Sequence, residues 1–223
     1  MGTAAYLWSV RSQMAQGLVI TLEATGAGMA IALTVGLGIA VIRVLKLPGL
    51  SQVARFYILF FRNTPLLVQL YVWYYVLPQY GIVLSAFLVG VVGLGIQFSA
   101  YTAEVYRAGL EQVPRGQWEA GSALGLRTAA ILRSIIIPQA FRPIVPGLGN
   151  YLISMFKDSA YLSVVTVFEL LGTTEQLAAS SFRYTALFTL LGVIYFSLSY
   201  PASVCVRVLE RRAARGRQNA LRS

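Results

Sequence analysis

Long apolar runs, separated by short polar connections, occupy most of the chain. Three of them, at residues 18–42, 82–103 and 185–206, carry at most one charged residue each. A helix needs roughly 20 apolar residues, at about 1.5 Å rise per residue, to cross about 30 Å of hydrocarbon. All three runs exceed this length, so we predict a membrane-spanning helix in each.

Two further runs are long enough to span a membrane but contain polar residues. The run 56–77 includes Pro65, which lacks a backbone N–H and disfavours helical geometry in the residue before it, so we predict a weakened helix there. The run 144–170 includes Lys157 and Asp158 at its middle. Backbone polar groups inside a bilayer must bond within their own segment, which excludes an open sheet. The predicted fold is therefore an all-α membrane protein with about five transmembrane helices.

The composition favours a membrane environment for most of the surface. Charged residues make up 12% of the chain and hydrophobic residues 57%, with a mean hydropathy of +0.67, whereas soluble domains carry about 25% charged residues. The sequence contains no histidine and a single cysteine, Cys205. One thiol cannot form an internal disulfide, and no cluster of residues has metal-ligand spacing. We therefore predict neither a disulfide nor a metal site.

The basic residues predict how the chain lies across the membrane. The formal net charge is +10, which in a soluble protein would suggest a nucleic-acid partner, but here the bases cluster in alternate connections. Cytoplasmic connections carry the excess of lysine and arginine. We therefore expect segment 104–143 and the C-terminus to be cytoplasmic, the N-terminus to face the outside, and no nucleic-acid partner. The clustered bases are Arg43, Lys46, Arg55, Arg62, Arg107, Arg115, Arg127, Arg133, Arg142, Arg207, Arg211, Arg212, Arg215, Arg217 and Arg222.

The segment 104–143 differs in kind from the apolar runs. It carries charges at helical intervals, a Pro-Arg-Gly turn and a second break at Gly125. We predict two short cytoplasmic helices, one over 117–124 and one beginning near Thr128, with Gly125 in the left-handed position that follows a helix. Pro138 then marks the return of the chain to the membrane.

The first of these short helices has the composition of a docking element. Ala120 and Gly121 allow a partner's backbone to come close, and Glu119 offers a charge to a basic rim. From the spacing alone, an ordinary cytoplasmic helical hairpin explains the segment equally well.

Six segments spread over most of the chain match the motifs of one transporter family. They are RNTPLLVQL at 62–70, AYTAEVYRAG at 100–109, GQWEAG at 116–121, IPQAFR at 137–142, KDS at 157–159 and VFEL at 167–170. Together they resemble the permease subunits of polar amino acid importers of the ATP-binding-cassette (ABC) class, whose EAA signature corresponds to residues 119–121.

The sequence departs from the family pattern at four positions. Gly121 stands for the second alanine of the EAA signature, Asn63 for a glycine, Ile137 for a leucine and Ser159 for a threonine. Asn63 is the departure that bears on function, because an amide in place of glycine alters a packed or solute-facing position.

The resemblance implies the type I ABC importer permease fold, with a cytoplasmic coupling-helix loop, in the bacterial inner membrane. Residues 1–16 would then be a periplasmic segment, residues 17–207 the transmembrane domain, and residues 208–223 a basic cytoplasmic tail. The EAA-containing loop would cover residues 104–143.

The resemblance also implies the partners. A separate ABC ATPase subunit would bind ATP and magnesium, since this chain has no G-x-x-x-x-G-K-[ST] phosphate loop, and the chain would hold no cofactor of its own. A periplasmic solute-binding protein would deliver the solute, and a second permease chain, identical or homologous, would complete the pore. The residues expected to couple to the ATPase are Glu119, Ala120, Gly121, Gly125 and Pro138.

Charged residues within the spans or at their ends are candidates for the translocation path. We expect Lys157, Asp158, Glu104 and Arg62 to line it, because a charge inside the bilayer is costly unless it is paired or hydrated. A buried network between subunits explains Lys157 and Asp158 equally well, and an internal pair with Arg107 explains Glu104.

For the whole chain we expect transport by alternating access. The alternative is a stand-alone channel or an ion-coupled secondary transporter, which would move solute without an ATPase. The sequence shows no pairing of a nucleophile with a base that would indicate an enzyme.

Overall fold

Helices without a strand make up the described part of the chain, which in this computed structural model covers residues 2–220, with side chains up to residue 213. The α-helices are α1 (Thr3–Ser9), α2 (Arg11–Val44), α3 (Leu50–Asn63), α4 (Leu66–Tyr71), α5 (Ala86–Glu111), α6 (Arg115–Ala123), α7 (Thr128–Ile131), α8 (Ile137–Asp158), α9 (Leu170–Ser181) and α10 (Tyr184–Ala220). Two π-helices, Val72–Val76 and Leu132–Ile136, and two 3-10 helices, Leu77–Tyr80 and Ser159–Val165, connect them.

Three of the helices are long and apolar enough to cross a membrane. They are α2, α5 and the described part of α10 up to Ala213. These helices contain the apolar runs 18–42, 82–103 and 185–206 almost completely, with residues 82–85 lying just before α5.

The predicted domain boundaries fall inside helices. The helix α2 begins at Arg11, so the boundary between residues 16 and 17 lies within its second turn. The helix α10 continues through Arg207 to Ala220, so the predicted tail 208–223 is a continuation of the last helix up to that residue. The remaining tail residues, 221–223, lie outside the described residues.

The run 56–77 is broken where its proline predicts. The helix α3 ends at Asn63, and Thr64 has an extended backbone with φ −105° and ψ 129°. The carbonyl of Thr64 accepts a hydrogen bond of 3.1 Å from Nε2 of Gln69, so the break remains satisfied inside the bundle. The helix α4 then begins at Leu66.

The structure corrects the single span predicted over 144–170. The helix α8 begins earlier, at Ile137, and ends at Asp158, so that Lys157 and Asp158 lie at the end of a helix and not at its middle. After it come the 3-10 helix Ser159–Val165 and a left-handed residue, Thr166, with φ 64°. An apolar composition does not distinguish one long helix from a helix followed by a tight turn, and this turn rests on contacts with distant helices.

A buried carboxylate fixes the turn that follows. Glu169 caps the start of α9 by accepting hydrogen bonds from the backbone N–H groups of Leu171, at 2.8 Å, and Gly172, at 2.9 Å. The hydroxyl of Thr21 on α2 donates to the same carboxylate at 3.3 Å. Both Glu169 and Thr21 are fully buried, so α9 is tied to α2 where the sequence predicted only a connection.

The pair α2 and α5 forms the centre of the bundle. Their backbones come close because small residues lie between them: a Cβ added to Gly95 would lie 2.6 Å from Cβ of Ile31, and one added to Gly36 would overlap Oγ1 of Thr102. The Thr102 hydroxyl donates a hydrogen bond of 2.7 Å to the carbonyl of Ala32. Small residues of this kind allow tight helix packing in lipid, where the hydrophobic effect does not drive helices together and close packing must do so.

Replacing Gly36 by alanine is therefore expected to destabilise the protein by about 1–3 kcal/mol, because the added methyl group displaces Thr102 from Ala32. The matched control is Gly38→Ala on the same helix, where a Cβ meets nothing within 4 Å and the gain in helix propensity makes the change neutral or slightly stabilising. Thermal unfolding in detergent measures both. Equal effects of the two changes would contradict the proposed packing.

Candidate functional site

The cytoplasmic segment predicted from the sequence forms a tight helical elbow. The helix α6 spans Arg115–Ala123, close to the predicted 117–124. Gly125 follows in a left-handed conformation with φ 71°. Its N–H donates to the carbonyl of Ser122 at 3.0 Å, and the N–H of Leu126 donates to the carbonyl of Gly121 at 3.1 Å. This pair of bonds is the Schellman motif, which satisfies the last carbonyls of a helix and fixes the direction of the chain after it.

One face of α6 packs on the chain itself. Gly121 is buried, and a Cβ added there would lie 2.8 Å from Cγ1 of Ile131. Trp118 is half-buried against the cluster formed by Val113, Ile131 and Ile136. The glycine that departs from the EAA pattern therefore has a structural reason in this chain, since it lets α6 lie directly on α7.

The opposite face of α6 is exposed in the described part of the chain. Glu119, Ala120 and Ala123 are exposed, and Leu124 at the elbow is 78% exposed. None of the three ion pairs between described residues involves Glu119. A charged residue, two small residues and an exposed leucine thus form one continuous surface, which we call the elbow surface.

Pro138 joins the elbow to the membrane without breaking the helix. It lies in the first turn of α8, directly after the π-helix Leu132–Ile136. A proline has no N–H to donate to the carbonyl four residues earlier, and the wider π-turn accommodates this missing bond. The predicted return to the membrane is therefore a continuous helical path from α7 into α8.

A charge cluster links α2 to α5 at the same end of the bundle. Glu104 pairs with Arg107 on its own helix, at 2.6 Å, and with Arg43 on α2. Arg107 also pairs with Glu111. The pairing of Glu104 with Arg107 matches the internal pair weighed from the sequence, whereas Arg43 was missed because nothing in the local spacing relates it to α5.

Aromatic rings continue from this cluster into the bundle. The guanidinium of Arg62 lies 5.3 Å from the ring centre of Tyr101 on α5, and Tyr101 stacks on Tyr151 of α8 with 5.2 Å between ring centres. Arg62 sits one residue before the end of α3 and is exposed. The break at Pro65 therefore places a cation beside the contact between α5 and α8.

The four predicted path residues are spread along the bundle and do not form one cluster. The helices α5 and α8 run antiparallel, with Tyr101 opposite Tyr151. Measured along the helix axes, Glu104 lies about 4.5 Å beyond Tyr101 in one direction, and Lys157 lies about 9 Å beyond Tyr151 in the opposite direction. Lys157 is exposed and Asp158 half-buried, and neither belongs to an ion pair among the described residues. Charges of both signs thus occur at successive depths.

A buried amide pair lies beside this line of charges. Nε2 of Gln69 donates to Oε1 of Gln97 at 2.6 Å, and both side chains are almost fully buried. The Oε1 atom of Gln69 has no partner among the described residues. Gln97 lies inside the bundle between α4 and α5. Glu23 is exposed on α2.

The chain matches one protein family over most of its length. The family model is described as the binding-protein-dependent transport system inner membrane component, and it matches residues 32–215. Among curated proteins, the probable amino-acid ABC transporter permease protein y4tG of Sinorhizobium fredii is 41% identical over 94% of this chain and 90% of its own length. The octopine transport system permease protein OccM of Rhizobium radiobacter is 35% identical over 92% of this chain and 88% of its own.

Solved structures agree with the sequence match. A chain from the crystal structure of an amino acid ABC transporter with histidines superposes with a TM-score of 0.88 at 36% identity, covering 95% of this chain and 99% of that one. An inward-facing MetNI methionine ABC transporter superposes with a TM-score of 0.72 at 19% identity, over 90% of this chain and 98% of that one, which shows the shared fold.

The charge cluster leads to a stability prediction. Arg43→Gln removes one of the two arginines that pair with Glu104, and Glu104→Gln leaves Arg43 without its carboxylate partner, in a site where both side chains are only about one-fifth exposed. Each single change should therefore cost more than half of the double change. We expect a coupling energy of about 1–2 kcal/mol from a double-mutant cycle followed by thermal unfolding. The same cycle on Arg107 and Glu111, whose carboxylate is 60% exposed, should give at most about 0.5 kcal/mol. Additive effects at Arg43 and Glu104 would refute the cluster.

Proposed function

Because the chain belongs to the family of inner membrane components of binding-protein-dependent transport systems, we propose that it carries a polar amino acid or a related zwitterion across the inner membrane as the pore subunit of an ABC importer. The family makes the chain a transport pore subunit and not an enzyme. The observation that carries the proposal is the exposed elbow surface at the end of a bundle of membrane-spanning helices. Relatives named as amino-acid permeases support the solute class.

A separate ABC ATPase binds the elbow surface. The small side chains of Ala120 and Ala123 let a groove of the partner approach the backbone of α6, and Glu119 pairs with a basic rim of that groove. The Schellman turn at Gly125 and the contact of Gly121 with Ile131 keep α6 from moving independently of α7. Movement of the ATPase therefore passes through the π-helix and Pro138 into α8.

Two further partners complete the importer. A second permease chain, identical or homologous, encloses the path together with this one, and a periplasmic binding protein delivers the solute. In our proposal the N-terminus faces the periplasm and the elbow faces the cytoplasm, which the distribution of basic residues supports.

The charged residues act on the solute in succession. A zwitterion presents an ammonium and a carboxylate a few ångströms apart, so it contacts either the Lys157 and Asp158 end or the Arg62 and Glu104 end, which lie roughly 14 Å apart along the helices. We propose that these two ends face the solute in the outward-open and inward-open states of an alternating-access cycle. The ATPase drives the cycle because it binds the two states with different affinities.

The coupling role is tested by reversing one charge. The change Glu119→Arg places a cation against the basic rim of the ATPase, so co-purification of the ATPase and solute-stimulated ATP hydrolysis should both fall by about tenfold or more. The matched control is Glu175→Arg, which changes an exposed carboxylate on α9 and should leave both readouts unchanged. Solute flux from this chain without an ATPase would instead support a stand-alone channel or secondary transporter.

The path role is tested by neutralising the charges at the end of α8. In the proposal, Lys157→Met and Asp158→Asn each remove one charged hydrogen bond between the protein and the solute. The solute concentration for half-maximal uptake into proteoliposomes should therefore rise about tenfold or more. Co-purification of the ATPase should be retained, which separates this effect from misfolding. The control Glu175→Gln should behave as the wild type, and wild-type uptake by both path variants would remove these residues from the path.

A further inference from the structure

An apolar groove lies between α1, α2 and α10 at the end of the bundle that carries the N-terminus. Its volume is about 440 Å³, and its walls include Leu7, Met14 and Leu18 on one side and Leu190 and Ile194 on the other. Met14 and Leu18 lie in the first two to three turns of α2, Leu190 and Ile194 lie in the first three turns of α10, and Leu7 lies on α1, so the groove extends about 10 Å into the bundle along the helix axes.

The mouth of the groove combines a cation with an aromatic ring. The guanidinium of Arg11 lies 4.3 Å from the ring centre of Trp8, and its Nη1 donates a hydrogen bond of 2.8 Å to the Trp8 carbonyl. These contacts fix the guanidinium at the mouth while leaving further N–H donors on its planar fork. Trp8 is 68% exposed, which is typical of tryptophan at the level of lipid headgroups.

The charges around the groove favour an anionic ligand. The sequence has no acidic residue before Glu23 and none from residue 184 to residue 209, so neither helix brings a carboxylate to the groove. Among the described residues no ion pair involves Arg11. A second guanidinium at the same end, that of Arg183, lies 4.9 Å from the ring centre of Tyr6.

We propose that this groove binds an anionic phospholipid of the membrane, with its phosphate on Arg11 and one acyl chain between α2 and α10. Three features select a lipid over a protein segment. The groove lies at one end of two spanning helices, its apolar lining follows the first two to three turns of those helices as an acyl chain would, and Arg11 is the one charged residue among the described residues that line it. A bidentate guanidinium contact suits a phosphate group.

The experiment is native mass spectrometry of the full-length permease in detergent, titrated with phosphatidylglycerol or phosphatidylcholine. The wild type should retain phosphatidylglycerol preferentially. The change Arg11→Gln should lower phosphatidylglycerol retention by about fivefold, to the level of phosphatidylcholine, and Arg11→Lys should restore part of it. The change Leu190→Trp fills the groove and should lower the retention of both lipids. The matched control is Lys46→Gln, an exposed base beyond the far end of α2.

Two outcomes would overturn the proposal. In the first, neither Arg11→Gln nor Leu190→Trp changes the retention of phosphatidylglycerol. The other is loss of association between permease chains in Leu190→Trp with lipid retention unaffected, which would make a protein helix the occupant. Thermal unfolding of each variant identifies any that fails to fold. If Arg11→Gln is one of them, the lipid retention of Arg11→Lys, which conserves size and charge, is used to test the role of Arg11. The measurement requires neither ATP nor solute, so its result is independent of the proposed transport function.

Discussion

The close contact between α2 and α5 is the constraint on which the rest of the bundle depends. In lipid, helices gain little from burying apolar surface against one another, so association depends on backbone proximity and on interhelical hydrogen bonds. Gly36 and Gly95 provide the proximity and Thr102 the hydrogen bond. The helix α5 also carries Tyr101, which stacks on Tyr151 of α8, and Glu104, which pairs with Arg43 of α2.

The same principle connects the membrane to the cytoplasmic elbow. On α5, Gly109 lets Ile144 of α8 approach closely, and on α6, Gly121 does the same for Ile131. Ile131 and Ile144 belong to one buried cluster that joins α5, α6, α7 and α8. Interiors packed in this way transmit displacement instead of absorbing it. The packed cluster therefore connects α6 to α5 and α8 through buried side chains.

Most polar groups inside the bundle have a structural task, and this narrows the choice of solute-facing residues. Glu169 caps a helix and Gln69 satisfies the carbonyl exposed by Pro65. Glu104 is held by two arginines. Lys157 and Arg62 are exposed and lie outside the ion pairs of the described residues, so they keep their hydrogen-bonding capacity for a solute. In the proposed function, their charges are the ones that the carboxylate of a zwitterion meets.

The sequence by itself determined the features that follow from local composition and local backbone chemistry. Apolar runs of sufficient length predicted α2, α5 and α10, Pro65 predicted the break after α3, and Gly125 predicted the left-handed turn at the elbow. Each of these depends on residues within a few positions of one another, so no knowledge of the fold is needed.

Only the tertiary structure decided where α8 ends and which polar residues meet. Glu169 caps α9 while bonded to Thr21, almost 150 residues away in sequence, and Arg43 meets Glu104 across two helices. The apolar run 144–170 gave no sign of this turn, because composition reports the solvent around a segment and not its partners. Contacts between residues far apart in sequence form only when packing brings their helices together, and the pattern of residues along the chain does not indicate which helices will meet.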